Sequence, residues 1–285
     1  MLMLKAYAKI NLGLKVLSKD EKDGYHVIDM VTLPIELHDR IEIEVLPEDY
    51  DTIITCDDRS LPTDESNIVY KTLKVLNEKC PLKNKLRIHI HKVIPVCAGL
   101  GGGSSDAAAV LVGLNKLLKL KLSTEELCEL GAKIGSDVPL CILNKPARVT
   151  SKGEVVETIT SKKTYKLLLI KPSVGLSTKE VYSKFDEEPL TSKGDNDLLV
   201  EGLKKGDLDL IIDNMGNDLE NPAFKLSYEI KNIKDIVVKS GFDGVLMTGS
   251  GSCVYLLTAQ DTKLEALENK FKALGYKTFI TKTIK

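Results

Sequence analysis

Along the 285-residue chain, apolar positions recur with two periods, and the elements they predict are strands and helices in mixed order. Residues 4–17 alternate loosely and predict a strand, on which Lys9 and Asn11 share one face at a spacing of two. Asp23-Gly24 signals a turn inside the polar stretch 18–25, and 27–37 and 40–46 read as two further strands of one sheet. The polar stretch 47–64, with Pro47 and Pro62, predicts loop around a short strand at 53–55. Val69, Leu73 and Leu76 return at helical spacing, so a helix capped by Ser66-Asn67 runs to about Cys80. Leu86, Ile88 and Ile90 then alternate with Arg87, His89 and His91, the mark of a half-buried strand.

A helical period resumes with Ala107, Val110, Leu111, Leu114, Leu117 and Leu118. Ser123 and Glu126 have capping-box spacing and open another helix, ending near Gly135. Pro139 suits the first turn of a short helix directly after it. A hairpin over 148–159 turns at Lys152-Gly153, and the polar stretch 160–163 suggests a boundary between domains 1–160 and 161–285. The second half predicts a strand at 165–170, helices at 178–185, 195–204 and 207–215, a turn at 216–220 and a helix at 225–240. It closes with a strand at 244–247, a glycine turn Thr248-Gly249-Ser250-Gly251-Ser252, a strand at 253–257, a helix at 261–274 and a strand at 276–283. The fold class is α+β, and the closing β-turn-β-α-β suits a small two-layer domain.

One stretch fits neither period: Pro95-Val96-Cys97-Ala98-Gly99-Leu100-Gly101-Gly102-Gly103-Ser104-Ser105-Asp106. Glycine at this density costs conformational entropy, and a close approach of backbone to a ligand justifies it. The loop feeds a helix N-terminus, whose free N–H groups and dipole favour an anion, so it reads as a phosphate cradle. It is not a Walker loop, because no lysine follows the glycines. Gly99-x-Gly101-x-x-Ser104 also lacks the third glycine of the dinucleotide fingerprint.

Charge is balanced at 40 basic and 41 acidic side chains, net −1, which argues against a nucleic-acid partner. Six scattered cysteines without a Cys-x-x-Cys pair read as reduced thiols of a cytoplasmic protein. No apolar run approaches the roughly 18–20 residues that cross a bilayer, and Lys5 and Lys9 interrupt the N-terminus too early for a signal peptide.

Four features are candidates for chemistry. Lys9, inside an apolar strand start, is either a solvated edge residue or a cation aimed into a site. Asp137 is either a helix cap before Pro139 or a general base flanked by small residues. Tyr25-His26, just past a turn, could stack on and hydrogen-bond a flat ligand. His89 and His91 share a strand face as metal ligands do, but no third ligand lies nearby in sequence, so they read as a solvated face.

Ala8-Lys9-Ile10-Asn11, Asp23-Gly24-Tyr25-His26, the stretch 95–108, Gly135-Ser136-Asp137-Val138-Pro139 and Thr248-Gly249-Ser250-Gly251 together resemble the GHMP small-molecule kinases, over nearly the whole chain. The glycine loop alone would indicate only that superfamily. The lysine-asparagine and Gly-Tyr-His motifs narrow the resemblance to members that phosphorylate the tertiary 2-hydroxyl of a cytidine-diphosphate methylerythritol in the non-mevalonate route to isoprenoid precursors. The resemblance implies an N-terminal ATP-binding domain like domain 2 of ribosomal protein S5 and a ferredoxin-like C-terminal domain, with ATP and Mg²⁺ as cofactors. It implies that Pro95 through Ser105 wrap the ATP phosphates and that Asn67 lies near the adenine. By the same resemblance Asp137 takes the hydroxyl proton, Lys9 holds that oxygen, and Asn11, Tyr25, His26, Thr178 and Tyr182 contact the substrate. The implied partner is this small molecule, with no nucleic acid and no membrane, and the chain a monomer or weak homodimer. Two departures stand out: Thr32, where some relatives carry an aromatic, and Cys97 inside the loop. Homoserine and mevalonate kinases, and a non-catalytic nucleotide-binding regulator on the same scaffold, are the alternative readings.

Overall fold

The computed structural model describes residues 1–259 and 261–285. Its two longest elements, β1 (Leu2–Lys19) and β2 (His26–Leu46), are neighbours in one sheet. The two strands expected at 27–37 and 40–46 are therefore one. Asp39, a polar break in the pattern, is fully buried and accepts hydrogen bonds from the backbone N–H groups of Val93 (2.6 Å) and Ile94 (2.8 Å), so the strand runs through it.

The chain packs as two compact units, each assembled from three segments. The first comprises residues 1–8, 38–94 and 101–144, and the second residues 9–37, 95–100 and 145–285. The division expected near residue 160 is a cut along the sequence, whereas these units interleave because β1, β2 and the glycine loop each contribute to both.

In the first unit, β3 (Ile53–Cys56) lies parallel to β4 (Lys85–His91), and β4 pairs antiparallel with the second half of β2, Glu42 opposite His89. Four helices cover one face: α1 (Ile68–Lys79), α2 (Gly102–Leu117), α3 (Thr124–Ile134) and α4 (Val138–Leu143). Ile41, Ile43, Ile88 and Ile90 from the sheet meet Val69, Leu76, Val110, Leu111, Leu114 and Leu130 from the helices, the alternation of β4 having sorted its residues between core and solvent. Both anticipated caps form: the Asn67 side chain accepts from Val69 N–H, and Ser123 with Glu126 makes the reciprocal capping box.

In the second unit, β5 (Ala147–Ser151) pairs with the first half of β2 and with β6 (Val155–Thr158), the expected hairpin. A separate antiparallel sheet holds β7 (Lys166–Lys171), β9 (Val245–Met247), β10 (Val254–Thr258) and β11 (Lys277–Lys282) in the order β11-β7-β10-β9. With helices between the first and second and between the third and fourth strands, this is the ferredoxin-like order. The helices are α5 (Thr178–Glu187), α6 (Asn196–Lys205), α7 (Leu208–Asn214), α8 (Glu220–Leu226), α9 (Tyr228–Lys239) and α10 (Asp261–Ala273).

The helix expected over about 225–240 forms as α9, and a further helix, α8, precedes it, set apart by Ser227 in an extended conformation (φ −148, ψ 108). One expectation in this unit is corrected. The turn expected at 216–220 instead contains the two-residue strand β8 (Gly216–Asn217), parallel to β1 with Leu14 opposite Asn217.

Candidate active site

The glycine loop turns its carbonyls away from solvent. Ser252 and Cys253 N–H groups donate to the carbonyls of Cys97 (3.4 Å) and Ala98 (3.2 Å), the Thr248 hydroxyl donates to Gly99 (3.2 Å), and Lys9 N–H donates to Leu100 (3.0 Å). The Gly101 carbonyl accepts from Ser105 N–H (2.9 Å) as the first bond of α2. Five successive carbonyls are thus engaged. Among the described residues, no acceptor meets the N–H groups of residues 98–104. Gly99 and Gly101 make this possible with φ of +70°, and a Cβ on Gly99 would stand 2.1 Å from the Thr248 carbonyl oxygen. Cys97 shares the left-handed conformation (φ 52°) and is exposed, beside half-buried Pro95 and Val96. A row of N–H groups running into a helix N-terminus is an anion cradle.

In the second unit, β1 delivers Lys9 and Asn11. Lys9 is buried, which removes the solvated-edge reading, and its Nζ donates to Asn11 Oδ1 at 2.7 Å. Asn11 is fully buried. Its Nδ2 donates to Met30 Sδ (3.2 Å), its N–H donates to Thr248 Oγ1 (3.1 Å), and its carbonyl accepts from the Tyr255 hydroxyl (2.8 Å). Asn11 therefore orients Lys9. Through Thr248 the same network reaches Gly99, so the lysine and the loop share one frame.

In the first unit, Ser104 and Ser105 part company. Ser104 is half-buried at the open end of α2. Ser105 is buried and donates its hydroxyl to the Tyr7 carbonyl, and its N–H donates to the Gly101 carbonyl, so both of its donors have partners within the protein. Asn67 is also committed locally: Oδ1 caps α1 at Val69 N–H (2.9 Å) and Nδ2 donates to the Pro62 carbonyl (2.7 Å). Asp137 occupies the cap position of α4 yet makes no capping hydrogen bond, so capping does not account for its carboxylate.

A cluster that the sequence did not flag lies beneath the start of α2. Lys92 Nζ donates to Asp39 (2.6 Å) and Asp106 (2.7 Å), all three buried. Burial pushes the Asp106 carboxyl up to about 7, Lys92 opposing and Asp39 reinforcing the shift, and Asp106 Oδ1 has no hydrogen-bond partner. Burial would lower Lys92, but the two carboxylates outweigh it and raise it. A Cβ on Gly102 would meet Lys92 Nζ at 3.1 Å, so this charge sits directly against the first turn of the helix.

The turn before Tyr25 is held by Lys152, whose Nζ donates to Asp20 (2.7 Å) and Asp23 (2.6 Å), leaving the Tyr25 ring 60% exposed. His26 stacks on Tyr182 (centroids 4.7 Å, 28°), and its Nε2 meets Asp186 Oδ1 at 2.6 Å. Tyr182 and Asp186 lie one turn apart on α5, a spacing that could have flagged the acid. Thr178 Oγ1 meets Ser250 Oγ at 2.9 Å, tying the start of α5 to the second glycine turn.

Known proteins of one family resemble this chain over nearly its whole length. The model of the GHMP kinases N terminal domain matches residues 67–145, and that of the GHMP kinases C terminal domain matches residues 199–277. A 4-diphosphocytidyl-2-C-methyl-D-erythritol kinase of Bacillus cytotoxicus is 42% identical over 271 residues, 95% of this chain and 93% of the relative. The chain belongs to the GHMP kinase family. A Bacillus cereus protein of the same name has the same identity and coverage. A crystal structure of 4-(cytidine 5'-diphospho)-2C-methyl-D-erythritol kinase superposes with a TM-score of 0.81 at 28% identity, covering 99% of both chains. The homoserine kinase of Cytophaga hutchinsonii shares the fold, with a TM-score of 0.71 at 19% identity over 98% of this chain and 94% of that one. This GHMP kinase is therefore an ATP-dependent small-molecule kinase with the two-domain fold of its family. Among the described residues no helix is long and apolar enough to cross a membrane.

Proposed function

We propose that this GHMP kinase transfers the γ-phosphoryl group of ATP to the tertiary 2-hydroxyl of 4-(cytidine 5'-diphospho)-2-C-methyl-D-erythritol. The observation that carries the reading is the 42% identity to kinases of that name over 95% of the chain, and the chemistry of this chain's own residues fits the step. Phosphoryl transfer depends on positioning and charge stabilisation. The outward N–H groups of residues 98–104 cradle the phosphates, with the Ser104 hydroxyl beside them. Asp137 accepts the proton of the attacking hydroxyl, and Lys9, held by Asn11, stabilises the oxygen as it becomes nucleophilic. Tyr25, His26 and Tyr182 supply the aromatic surfaces that hold the cytidine, with Asp186 orienting His26 and Thr178 lining the same pocket.

Mg²⁺, a hard cation that takes oxygen ligands, fits as a partner of the ATP phosphates and neutralises charge on the group in transfer. Asp106 does not fit as its ligand, because Lys92 and burial hold that carboxyl beneath the helix.

The test is turnover of the purified chain with ATP, Mg²⁺ and the cytidylated methylerythritol, set against mevalonate and homoserine. The cytidylated compound should have much the highest kcat/KM, and a preference for either small acid would overturn the reading. Asp137→Ala and Lys9→Ala should each lose about 10²–10⁴ in kcat while retaining ATP affinity. Near-normal kcat in either removes the role given to it.

A further inference from the structure

The exposed face of the β3–β4 edge gathers residues that the kinase reaction does not use. Register sets Thr55 opposite His89 on the parallel side and Glu42 opposite His89 on the antiparallel side. Asp57, one residue past β3, comes to His91, with its Oδ2 3.6 Å from His91 Nδ1. The third ligand absent from the local sequence is thus supplied by the neighbouring strand. We propose that Asp57, His89 and His91 form a binding site for a borderline divalent metal ion of the Zn²⁺ class.

Each of the three has one polar atom engaged by a neighbour and a second left to ligate. His91 Nε2 donates to Glu42 Oε1 (3.0 Å), a carboxylate that can only accept, so Nδ1 carries the lone pair facing Asp57 in the neutral ring. His89 Nδ1 meets the Thr55 hydroxyl (2.7 Å), and as donor there it leaves Nε2 as the ligand. Asp57 Oδ1 accepts from Lys92 N–H (2.7 Å), leaving Oδ2. A carboxylate or hydroxyl behind a ligating imidazole is the arrangement that orients histidines in metal sites. One atom from each residue lies within 4.8 Å of the other two. Bonds of about 2.1 Å require tetrahedral edges of about 3.4 Å, so small side-chain rotations close the site. Two imidazoles and one carboxylate suit Zn²⁺, Co²⁺ or Ni²⁺ better than Mg²⁺ or Ca²⁺, which prefer oxygen throughout. An ion here clamps the end of a four-residue edge strand to β4.

The probes are Zn²⁺ and Co²⁺, added to full-length protein freed of metal by dialysis against a chelator. One equivalent should bind, raise Tm, and with Co²⁺ give visible d–d bands without thiolate charge transfer. His89→Gln/His91→Gln should abolish this with the fold intact by circular dichroism, and Glu42→Gln should weaken it about tenfold. Absence of binding, undiminished binding in the double variant, or binding only with cysteine charge transfer would overturn the proposal. Should the double variant not fold, Asp57→Asn, on an exposed residue, replaces it and must weaken binding.

Discussion

The two glycine-rich turns, 99–103 and 249–251, differ in how long a run of backbone N–H groups they leave open. In the second turn Gly251 N–H donates to the Thr248 carbonyl (3.0 Å), and the carbonyls of Met247 and Gly249 both accept from Asn217 Nδ2 (2.8 Å each). It is pinned through its carbonyls, and among the described residues only the N–H groups of Gly249 and Ser250 lack an acceptor there. In the first, the open N–H groups run without a break over residues 98–104 and into the start of α2, so it presents a longer field of one sign. The second turn helps create that field, since Thr248, Ser252 and Cys253 donate to the carbonyls of the first. Glycine density alone does not mark a ligand cradle; a long unpaired run of N–H groups leading into a helix does.

Substitutions can break this contrast. Gly99→Ala should have the largest effect, because its Cβ meets the Thr248 carbonyl at 2.1 Å in a backbone of φ +70°. We expect destabilisation of about 3 kcal/mol and loss of ATP binding, read by urea melts and nucleotide titration. Gly103→Ala is the control: its nearest neighbour is Ile68 Cγ2 at 3.9 Å, and it should be stable to within about 1 kcal/mol, so any lost ATP affinity reports crowding of the nucleotide. Next comes Asn217→Ala, which unpins the second turn and should cost about 2 kcal/mol in urea unfolding, with a smaller loss of kcat.

The charge beneath α2 gives a pH test. Folded Asp106, with its carboxyl pushed up to about 7, holds a proton that the unfolded chain has released above the ordinary carboxylate range. The stability this contributes is full below that range and is lost as pH rises through about 7. Asp106→Asn needs no proton, so its Tm should gain on the wild type between about pH 5 and about pH 8. A constant difference would show that Asp106 does not titrate there. The smallest contrast sets Ser105→Ala against Ser104→Ala. The first should lower stability by about 1 kcal/mol at unchanged KM for ATP, and the second should raise that KM several-fold at unchanged Tm.

Much of the scaffold was legible because its signals are local. The capping box at Ser123 and Glu126, the Asn67 cap, the alternation of 86–91 and the helical period after the loop all form as read. Local signals failed where a distant partner satisfied a polar break, as at Asp39. The sequence likewise placed Lys9, Asp137 and Tyr25 among the candidates, but not the groups that hold them in position. Asn217 reaches Gly249 across 32 residues, Lys152 reaches Asp20 across 132, and Asp186 reaches His26 across 160.

By itself, then, the sequence determined the elements, their caps and the residue types of a GHMP kinase. Periodicity, turn chemistry and motif spacing act within a few residues of one another. Only the tertiary structure decided that the loop carbonyls are occupied, that Ser105 faces inward while Ser104 does not, that Lys92 carries two buried carboxylates, and that Asp57 joins His89 and His91. Each depends on which strand or turn lies alongside. A hydrogen bond constrains distance in space, and chain separation leaves no mark of it in the local pattern.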